Sequence, residues 1–438
     1  MCACNASFVL HGNVEVLIKM HSLGYSLVQS GPHVNEEEPP VASMLVRFGH
    51  LAAAKRLVEV YPEFGLLQDA FGVSANDLIR SHDLGPRGIP NALRGASHLP
   101  KTPDDSVVAP YGTGGWPTHE IPFPGWAESV GCQFAELSGE EVAKDHEVFV
   151  REFVLKHRPV MLRDFIRHDE GLFALMGNMA ARSVLQDLGY TSWDAGKIPY
   201  ESTYTGQAAL VREFPEFIQS VVQSQSAEQG KVGPQDYIFA SSLNRNAASG
   251  TSINEEVGKL FPEVPTFIND GIDLASFPTK NSQFYVGPAG SGAPLHYHNA
   301  AFNALAYGKK GWVLVPPANA SFSNKPAADM AQALAGDGPK GVLRCVQNAG
   351  DVLVVPPSWG HLTLNLAASI GVAKEFDVRI HPNGMKPQRM YLNGSLVPRG
   401  GAPVEGAAPA PPTTKIERGD KPGNRKRASI AQAHLQEF

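Results

Sequence analysis

The sequence predicts a mainly β protein, a sandwich or barrel accompanied by helices, which follows a small α-helical segment. Short strand-like runs separated by Pro/Gly turns recur from "DYIFAS" (236–241) onward to residue 376. Apolar residues at helical spacing precede them, at about residues 138–154 and 207–224. Two helical stretches that resemble each other come earlier, within residues 5–85. Together these observations favour a helical segment in front of a β-rich domain.

Composition and charge exclude several classes of protein. The 438 residues are 43% hydrophobic and 18% charged, which is typical of a globular protein with room for two or three domains. The net charge of −6 gives no basic field for nucleic acid. No apolar run approaches the roughly 20 residues that span a bilayer, and the first residues lack a signal-peptide pattern. We therefore expect no membrane partner and a cytoplasmic or nuclear location.

The cysteines are few and scattered along the chain. This spacing predicts neither a disulfide framework nor a zinc finger. The four positions are Cys2, Cys4, Cys132 and Cys345.

The first predicted domain covers residues 1–84. Its stretch "HGNVEVLIKMHSLG" (11–24) is echoed by "FGHLAAAKRLVEVYPEFG" (48–65), and each runs from a Gly-Asn or Gly-His pair into an amphipathic helix. The pair resembles ankyrin repeats, whose period is about 33 residues; an unrelated helical hairpin is the alternative. Two or three such units are marginal alone, so we expect them to pack on the next domain.

Three further boundaries follow from composition. Residues 85–130 are rich in Pro and Gly and are predicted to be a wrap over a core, or a linker. Residues 131–385 form the predicted barrel domain, whose first helix has a capping box at Ser138 and Glu141. Residues 386–438, rich in Gly, Pro and Ala, are predicted to be a flexible tail.

Three histidines are the candidate metal ligands. His296 and His298 lie in "PLHYHN" (294–299), a predicted strand in which residues i and i+2 point to the same face. His361 begins "HLTLNLAASIGVAKEF" (361–376), another predicted strand. A jelly-roll barrel that sets these strands side by side would bring the three imidazoles together. The alternative to a metal ligand is a buried histidine that only forms hydrogen bonds. The sequence decides least between these two roles at His298.

The order of motifs resembles that of a known family. The stretches "HYH", "FNALAYGKKGWVLVPP" and "GDVLVVPPSWGHLTLNL" resemble a JmjC, or cupin-like, domain of the Fe(II)- and 2-oxoglutarate-dependent oxygenases. This resemblance runs from "HRPVMLRDF" to about residue 380. It implies a double-stranded β-helix, or jelly-roll, and a metal site of two histidines and one carboxylate with open positions.

Residue by residue, the resemblance implies that His296 is the first ligand and His361 the last. His298 stands where most members have the carboxylate; the jumonji domain-containing protein 8 group is similar in carrying His-x-His in this stretch. The expected metal is Fe(II), with zinc or another divalent ion as alternatives, because imidazole suits several metals.

The resemblance also implies a pocket for 2-oxoglutarate. Lys310 matches the lysine that pairs with the distal carboxylate of the co-substrate, and its alternation with Trp312 favours it over the neighbouring Lys309. Ala293 stands where a Thr or Ser hydroxyl is common, so Ser291 or Tyr285 would have to replace that hydroxyl. The polar side chains predicted to bind the co-substrate are Lys310, Asn303, Asn365, Tyr285, Ser291 and Thr363.

Two hypotheses of function follow. The first is an oxygenase that hydroxylates a protein side chain, which the intact His296, His361 and Lys310 favour. The second is a catalytically impaired JmjC-like scaffold that acts through protein–protein interaction, which the departures at His298 and Ala293 favour. Both predict a protein substrate or partner, and related barrels suggest a homodimer.

Overall fold

The computed structural model describes residues 9, 12–25, 27, 40–69, 73–84, 114–126, 131–169, 172–173, 182, 193–198, 210–223, 235–241, 282–335, 341–376, 389–392 and 395–398. Most of the predicted wrap and most of the predicted tail lie outside these residues, and the domain boundaries stay predictions. Within the described residues, no helix is long and apolar enough to cross a membrane.

The N-terminal segment is helical, as predicted. Its core consists of apolar side chains such as Leu17, Leu45, Leu57 and Phe64, each 0–1% exposed. The ankyrin interpretation of these helices stays a prediction. The helices are α1 (Val14–Ser22), α2 (Val41–Arg47), α3 (Leu51–Val60), α4 (Glu63–Leu66) and α5 (Ala75–Leu84).

The helical segment packs on the β-rich domain, as its small size led us to expect. Arg47 forms a salt bridge with Asp69 and donates a hydrogen bond to the carbonyl of Leu155 at 2.7 Å. Gly49 has a φ of +84°, and a Cβ at this position would lie 2.7 Å from the side chain of Pro316. A glycine is therefore required where the α2–α3 turn meets the next domain.

The described strands form a large sheet, a small sheet and a hairpin. The large sheet has nine strands in the order β1-β2-β10-β7-β12-β6-β5-β3-β4, the small one has the order β11-β8-β9, and β13 pairs with β14. Their bounds are β1 (Ala135–Ser138), β2 (Val160–Arg163), β3 (Trp193–Gly196), β4 (Leu210–Arg212), β5 (Tyr237–Ser241), β6 (Ser282–Gly287), β7 (Ala300–Tyr307), β8 (Lys309–Val315), β9 (Leu343–Asn348), β10 (Val352–Val355), β11 (Gly360–Asn365), β12 (Ser369–Phe376), β13 (Arg389–Leu392) and β14 (Ser395–Pro398).

The two sheets and the helices form layers, which is consistent with the predicted jelly-roll-like domain. Helical residues such as Phe149, Phe153 and Phe214 pack against the large sheet in one core. Phe123 and Leu334 pack against the small sheet in another. The helices outside the N-terminal segment are α6 (Gly139–Lys144), α7 (His146–Phe149), α8 (Phe214–Gln223) and α9 (Ala327–Leu334), with a π turn at Val150–Val154 and 3₁₀ turns at Ile166–His168 and Pro317–Asn319.

Several element bounds differ from the prediction, and the largest difference concerns residues 294–299. This stretch is not a strand; only His296 forms a β-bridge, with His361. Pro294 has no N–H to donate to a ladder, and the carbonyl of His298 accepts instead from the N–H of Ser358, at 2.8 Å.

Two other predicted elements are shorter or divided. The predicted 361–376 strand is two strands, β11 and β12. The predicted 207–224 helix begins only at Phe214, because residues 210–212 form β4 and Pro215 suits the first turn of a helix. The capping interaction is present, since the N–H of Glu141 donates to Ser138 Oγ at 3.4 Å.

The scattered spacing of the cysteines did not predict one bonded pair. Cys132 and Cys345 are bonded across a sequence separation of 213 residues. The N–H of Gln133 donates to the carbonyl of Arg344 at 2.9 Å, which aligns the chain before β1 with the edge strand β9. Sequence spacing cannot detect this pairing, because only the sheet brings the two cysteines together.

Candidate metal and co-substrate site

The three predicted histidine ligands lie together in the structure. The ring centroids of His296 and His361 are 4.2 Å apart, and those of His298 and His361 are 4.6 Å apart. One ring nitrogen from each residue falls within 4.8 Å of the others. Two backbone hydrogen bonds between His296 and His361, of 3.0 and 2.7 Å, fix the loop of the first against the start of β11. A strand of alternating residues is therefore unnecessary for bringing the rings together.

Each ring is held in one tautomer by a backbone carbonyl. The Nδ1 of His296 is 2.7 Å from the carbonyl of Pro294, that of His298 is 2.8 Å from Asn299, and that of His361 is 3.0 Å from Trp359. A carbonyl only accepts hydrogen bonds, so each Nδ1 must carry the proton. The lone pair is then on Nε2, which is the arrangement that metal-binding histidines use.

Burial keeps the three imidazoles neutral. It lowers the pKa of His296 to about 3, with the neighbouring His298 as a further cause, and lowers the pKa of His298 to about 4. Burial, followed by the nearby His296 and His298, lowers the pKa of His361 well below its usual value. Neutral imidazoles are the form that binds a metal. The donor set therefore fits a divalent ion such as Fe(II) or Zn(II).

The histidines line a cavity between the two sheets. The β5, β6, β7, β10 and β12 strands of the large sheet form one wall, and β8 and β11 of the small sheet form the other. Six of the nine side chains predicted for the site line this cavity: His296, His298, His361, Asn303, Lys310 and Thr363.

Of the described residues that line the cavity, Lys310 is the only lysine. It is 1% exposed, it donates to the hydroxyl of Tyr237 at 3.1 Å, and its Nζ lies 3.4 Å from the ring centroid of Tyr285. Burial lowers its pKa well below the usual value, and within the described residues no salt bridge joins it to a carboxylate. An anion stabilises the charged form of a buried lysine, so Lys310 is suited to bind one carboxylate of a ligand.

The other predicted polar residues divide into two groups. Tyr285 donates to Asn303 Oδ1 at 2.7 Å, beside Lys310, and the N–H of Ala293 donates to Thr363 Oγ1 at 3.0 Å. Tyr285 contacts two lining residues, Asn303 and Lys310, without itself lining the cavity. The second group also lies outside the lining and forms its own contact, in which Asn365 Nδ2 donates to Ser291 Oγ at 2.8 Å.

Two aromatic residues of the cavity were missed in the sequence. Tyr237 and Phe239 on β5 line it, and Tyr237 is the hydrogen-bond partner of Lys310. The strand "DYIFAS" was recognised, and alternation puts these two residues on one face. A sequence distance of more than forty residues separates this strand from the next described strand. No motif spacing therefore linked the strand to the site.

The chain is similar to JmjC domain proteins over a part of its length. No protein-family model matches it. It is 32% identical over 112 residues to the arginine-specific demethylase JMJ22 of Arabidopsis thaliana, covering 22% of this chain and 22% of the relative. It is 35% identical over 96 residues to human JmjC domain-containing protein 8, covering 20% of this chain and 36% of the relative.

A third relative carries the oxygenase description in its name. The chain is 30% identical over 105 residues to the zebrafish (Danio rerio) 2-oxoglutarate and iron-dependent oxygenase JMJD4, covering 20% of this chain and 24% of the relative. The chain thus spans between about a fifth and just over a third of the length of these relatives. The comparisons and the histidine cluster together support a relationship to JmjC-type oxygenases.

Proposed function

We propose that the chain is an Fe(II)- and 2-oxoglutarate-dependent oxygenase of the JmjC type, with a three-histidine metal site, that hydroxylates a protein side chain. The observation that carries the proposal is one cavity that holds three tautomer-fixed neutral histidines and a buried lysine without a salt bridge in the described chain. The names of the relatives support the same class of chemistry.

Each group of residues has its own task in this proposal. His296, His298 and His361 hold the metal through Nε2. Lys310 binds the distal carboxylate of 2-oxoglutarate, and Tyr237 orients the lysine. Iron bound there would supply the oxidising chemistry with O₂. The overall reaction converts 2-oxoglutarate, O₂ and a C–H group into succinate, CO₂ and a C–OH group. The protein excludes water from the buried cavity around these groups.

A catalytically impaired scaffold is the second candidate, and two observations favour it. Ala293 lines the cavity without the hydroxyl that commonly holds the co-substrate, and three neutral imidazoles leave a divalent metal with two net positive charges. In this case the barrel keeps its fold and binds a protein partner, and the ankyrin-like helices would provide the surface for it.

The test is a comparison of metal content and turnover in protein purified without oxygen. We expect wild type to bind Fe(II) and to convert 2-oxoglutarate to succinate, and we expect His361→Ala and Lys310→Ala to abolish turnover. If wild type binds neither metal nor 2-oxoglutarate while His298→Asp gains both, the oxygenase proposal is wrong and the scaffold is correct.

The location of the protein is a separate proposal. We retain the cytoplasm or nucleus as the prediction from the sequence. The bond between Cys132 and Cys345 is an observation against a reducing compartment, because disulfides persist mainly under oxidising conditions. The redox state of these two cysteines in rapidly acidified cells would distinguish a reducing compartment from an oxidising one. Free thiols support the prediction, and a disulfide contradicts it.

A further inference from the structure

A buried carboxylate lies beside the histidine that replaces the usual acidic ligand. The Oε1 atom of Glu375 is 4.0 Å from Nδ1 of His298, and the two side chains are 2% and 7% exposed. The register of β12 explains this position, because Glu375 pairs with Ala301 of β7. Ala301 and Ala373 both line the cavity, and alternation puts Ala373 and Glu375 on the same face of β12.

Glu375 stands next to the ligand set and is not a member of it. Among the described residues, the group of ligand atoms within 4.8 Å of one another contains the three histidines. Since His298 Nδ1 donates to the carbonyl of Asn299, its Nε2 is the atom left for a metal. The carboxylate therefore lies on the side of the ring away from the metal position. At 4.0 Å from Nδ1, whose proton is donated to the carbonyl of Asn299, this carboxylate acts on the imidazole through its negative charge.

The charge of the site explains why a carboxylate is needed there. A divalent metal with two histidines and one carboxylate keeps one net positive charge, whereas three neutral imidazoles leave two. The cavity is buried, so an additional uncompensated charge is costly. A carboxylate at Glu375 places one negative charge beside the ligand set.

We propose that Glu375 is a positioning residue that supplies, through His298, the negative charge that the ligand set itself lacks. The His298–Glu375 pair then does the work of the single acidic ligand of the more common site. This inference rests on the proposed metal site, and it makes the two residues interdependent.

The test is a double-mutant cycle with Co(II) as the probe metal. Its dissociation constant is measured by calorimetry, and its coordination by visible absorption, for wild type, Glu375→Gln, His298→Asp and the double variant. We expect Glu375→Gln to weaken Co(II) binding by at least about 10-fold in wild type, because a carboxylate attracts a divalent ion across a buried cavity. In the His298→Asp background, where the ligand itself carries the charge, the same change should alter binding by no more than about twofold.

Three further measurements separate a charge effect from a structural one. Glu375→Asp keeps the charge and should restore most of the affinity. Glu120→Gln removes a carboxylate from an exposed pair with Lys309 and should leave Co(II) binding unchanged. The metal-free variants should unfold at temperatures close to that of wild type.

The outcomes also separate the inference from the proposed function. If wild type binds no Co(II), the metal site itself is wrong, and this inference fails with it. If wild type binds Co(II) and Glu375→Gln causes no loss, or the same loss in both backgrounds, only the role of Glu375 is wrong.

Discussion

The two ends of the cavity are built in different ways. At one end, three backbone carbonyls hold three imidazoles, and these bonds are complete without a ligand. At the other end, Lys310 is buried against the rings of Tyr237 and Tyr285. There Lys310 donates a hydrogen bond to the hydroxyl of Tyr237, and burial disfavours the charged form of the lysine.

This difference teaches that the two ends depend on ligands to different degrees. The histidine end is preorganised, so a metal needs little rearrangement to bind. The lysine end carries a cost of desolvation that an anion would offset. Function at the lysine end therefore opposes stability, as is common at binding sites. The predictions below test this contrast, beginning with the largest expected effect.

Removal of a histidine should abolish metal binding. We expect His361→Ala to weaken the binding of Co(II) more than about 100-fold, since even residues behind the ligands contribute 10- to 100-fold. Calorimetric titration measures this loss. His119→Ala, at an exposed position, is the matched control and should bind as wild type does. Equal affinities for all three proteins would show that the metal does not use this cluster.

Removal of the lysine should affect the co-substrate and spare the metal. We expect Lys310→Ala to weaken 2-oxoglutarate binding by about 2–5 kcal/mol, the usual loss when a buried charge pair is broken. The neighbouring Lys309 pairs with Glu120 at 2.7 Å on the surface, so Lys309→Ala is the control and should change little. Tryptophan fluorescence, recorded while 2-oxoglutarate is titrated into each metal-loaded variant, gives the affinity of both variants for the co-substrate. A larger effect from Lys309→Ala would reverse our assignment of the pocket lysine.

The same lysine should reduce the stability of the ligand-free protein. We expect Lys310→Met to raise the free energy of unfolding by about 1–4 kcal/mol, because methionine has a similar shape and no charge to bury. The pKa of Lys310 is lowered in the folded state, so the unfolded state binds more protons. The contribution of Lys310 to wild-type stability should thus rise as the pH approaches about 10.4, the unfolded-state value.

Urea denaturation at several pH values measures this effect. The rise in stability with pH should be smaller in Lys310→Met than in wild type. A Met variant that is less stable than wild type would mean that the lysine contributes favourable packing in place of a desolvation cost.

A hydroxyl at position 293 should improve the lysine end slightly. Ala293 is 2% exposed and lines the cavity, so Ala293→Ser can add one hydrogen bond to a bound carboxylate. We expect 2-oxoglutarate to bind about 1 kcal/mol more tightly, the typical value of one such bond. The same titration detects the change. An unchanged or weaker affinity would indicate that the carboxylate binds away from this residue.

The histidine cluster could be predicted because short motifs carried it. "HYH" and "PPSWGH" fixed the ligand residues, although the alternation that was used for residues 294–299 was not the true reason for their proximity. The loop reaches the site through the backbone pair of His296 and His361. The strands of the barrel were found to within a few residues, since Pro and Gly ended each one.

The features that could not be predicted depend on pairing between distant strands. Tyr237 reaches Lys310 across 73 residues, and Cys132 reaches Cys345 across 213. Glu375 was part of a recognised strand, but its place beside His298 follows from the register of β12 on β7. A single sequence carries no record of such registers, whereas it does carry local periodicity.

The most direct test of the account is a crystal structure of the chain grown without oxygen, with Co(II) and 2-oxoglutarate, and recorded at the cobalt absorption edge. We predict one anomalous peak about 2.1 Å from Nε2 of His296, His298 and His361. We also predict a carboxylate of 2-oxoglutarate within hydrogen-bonding distance of Lys310 Nζ. An anomalous peak elsewhere, or a lysine that keeps its contact with Tyr237 while 2-oxoglutarate is bound at another place, would contradict the account.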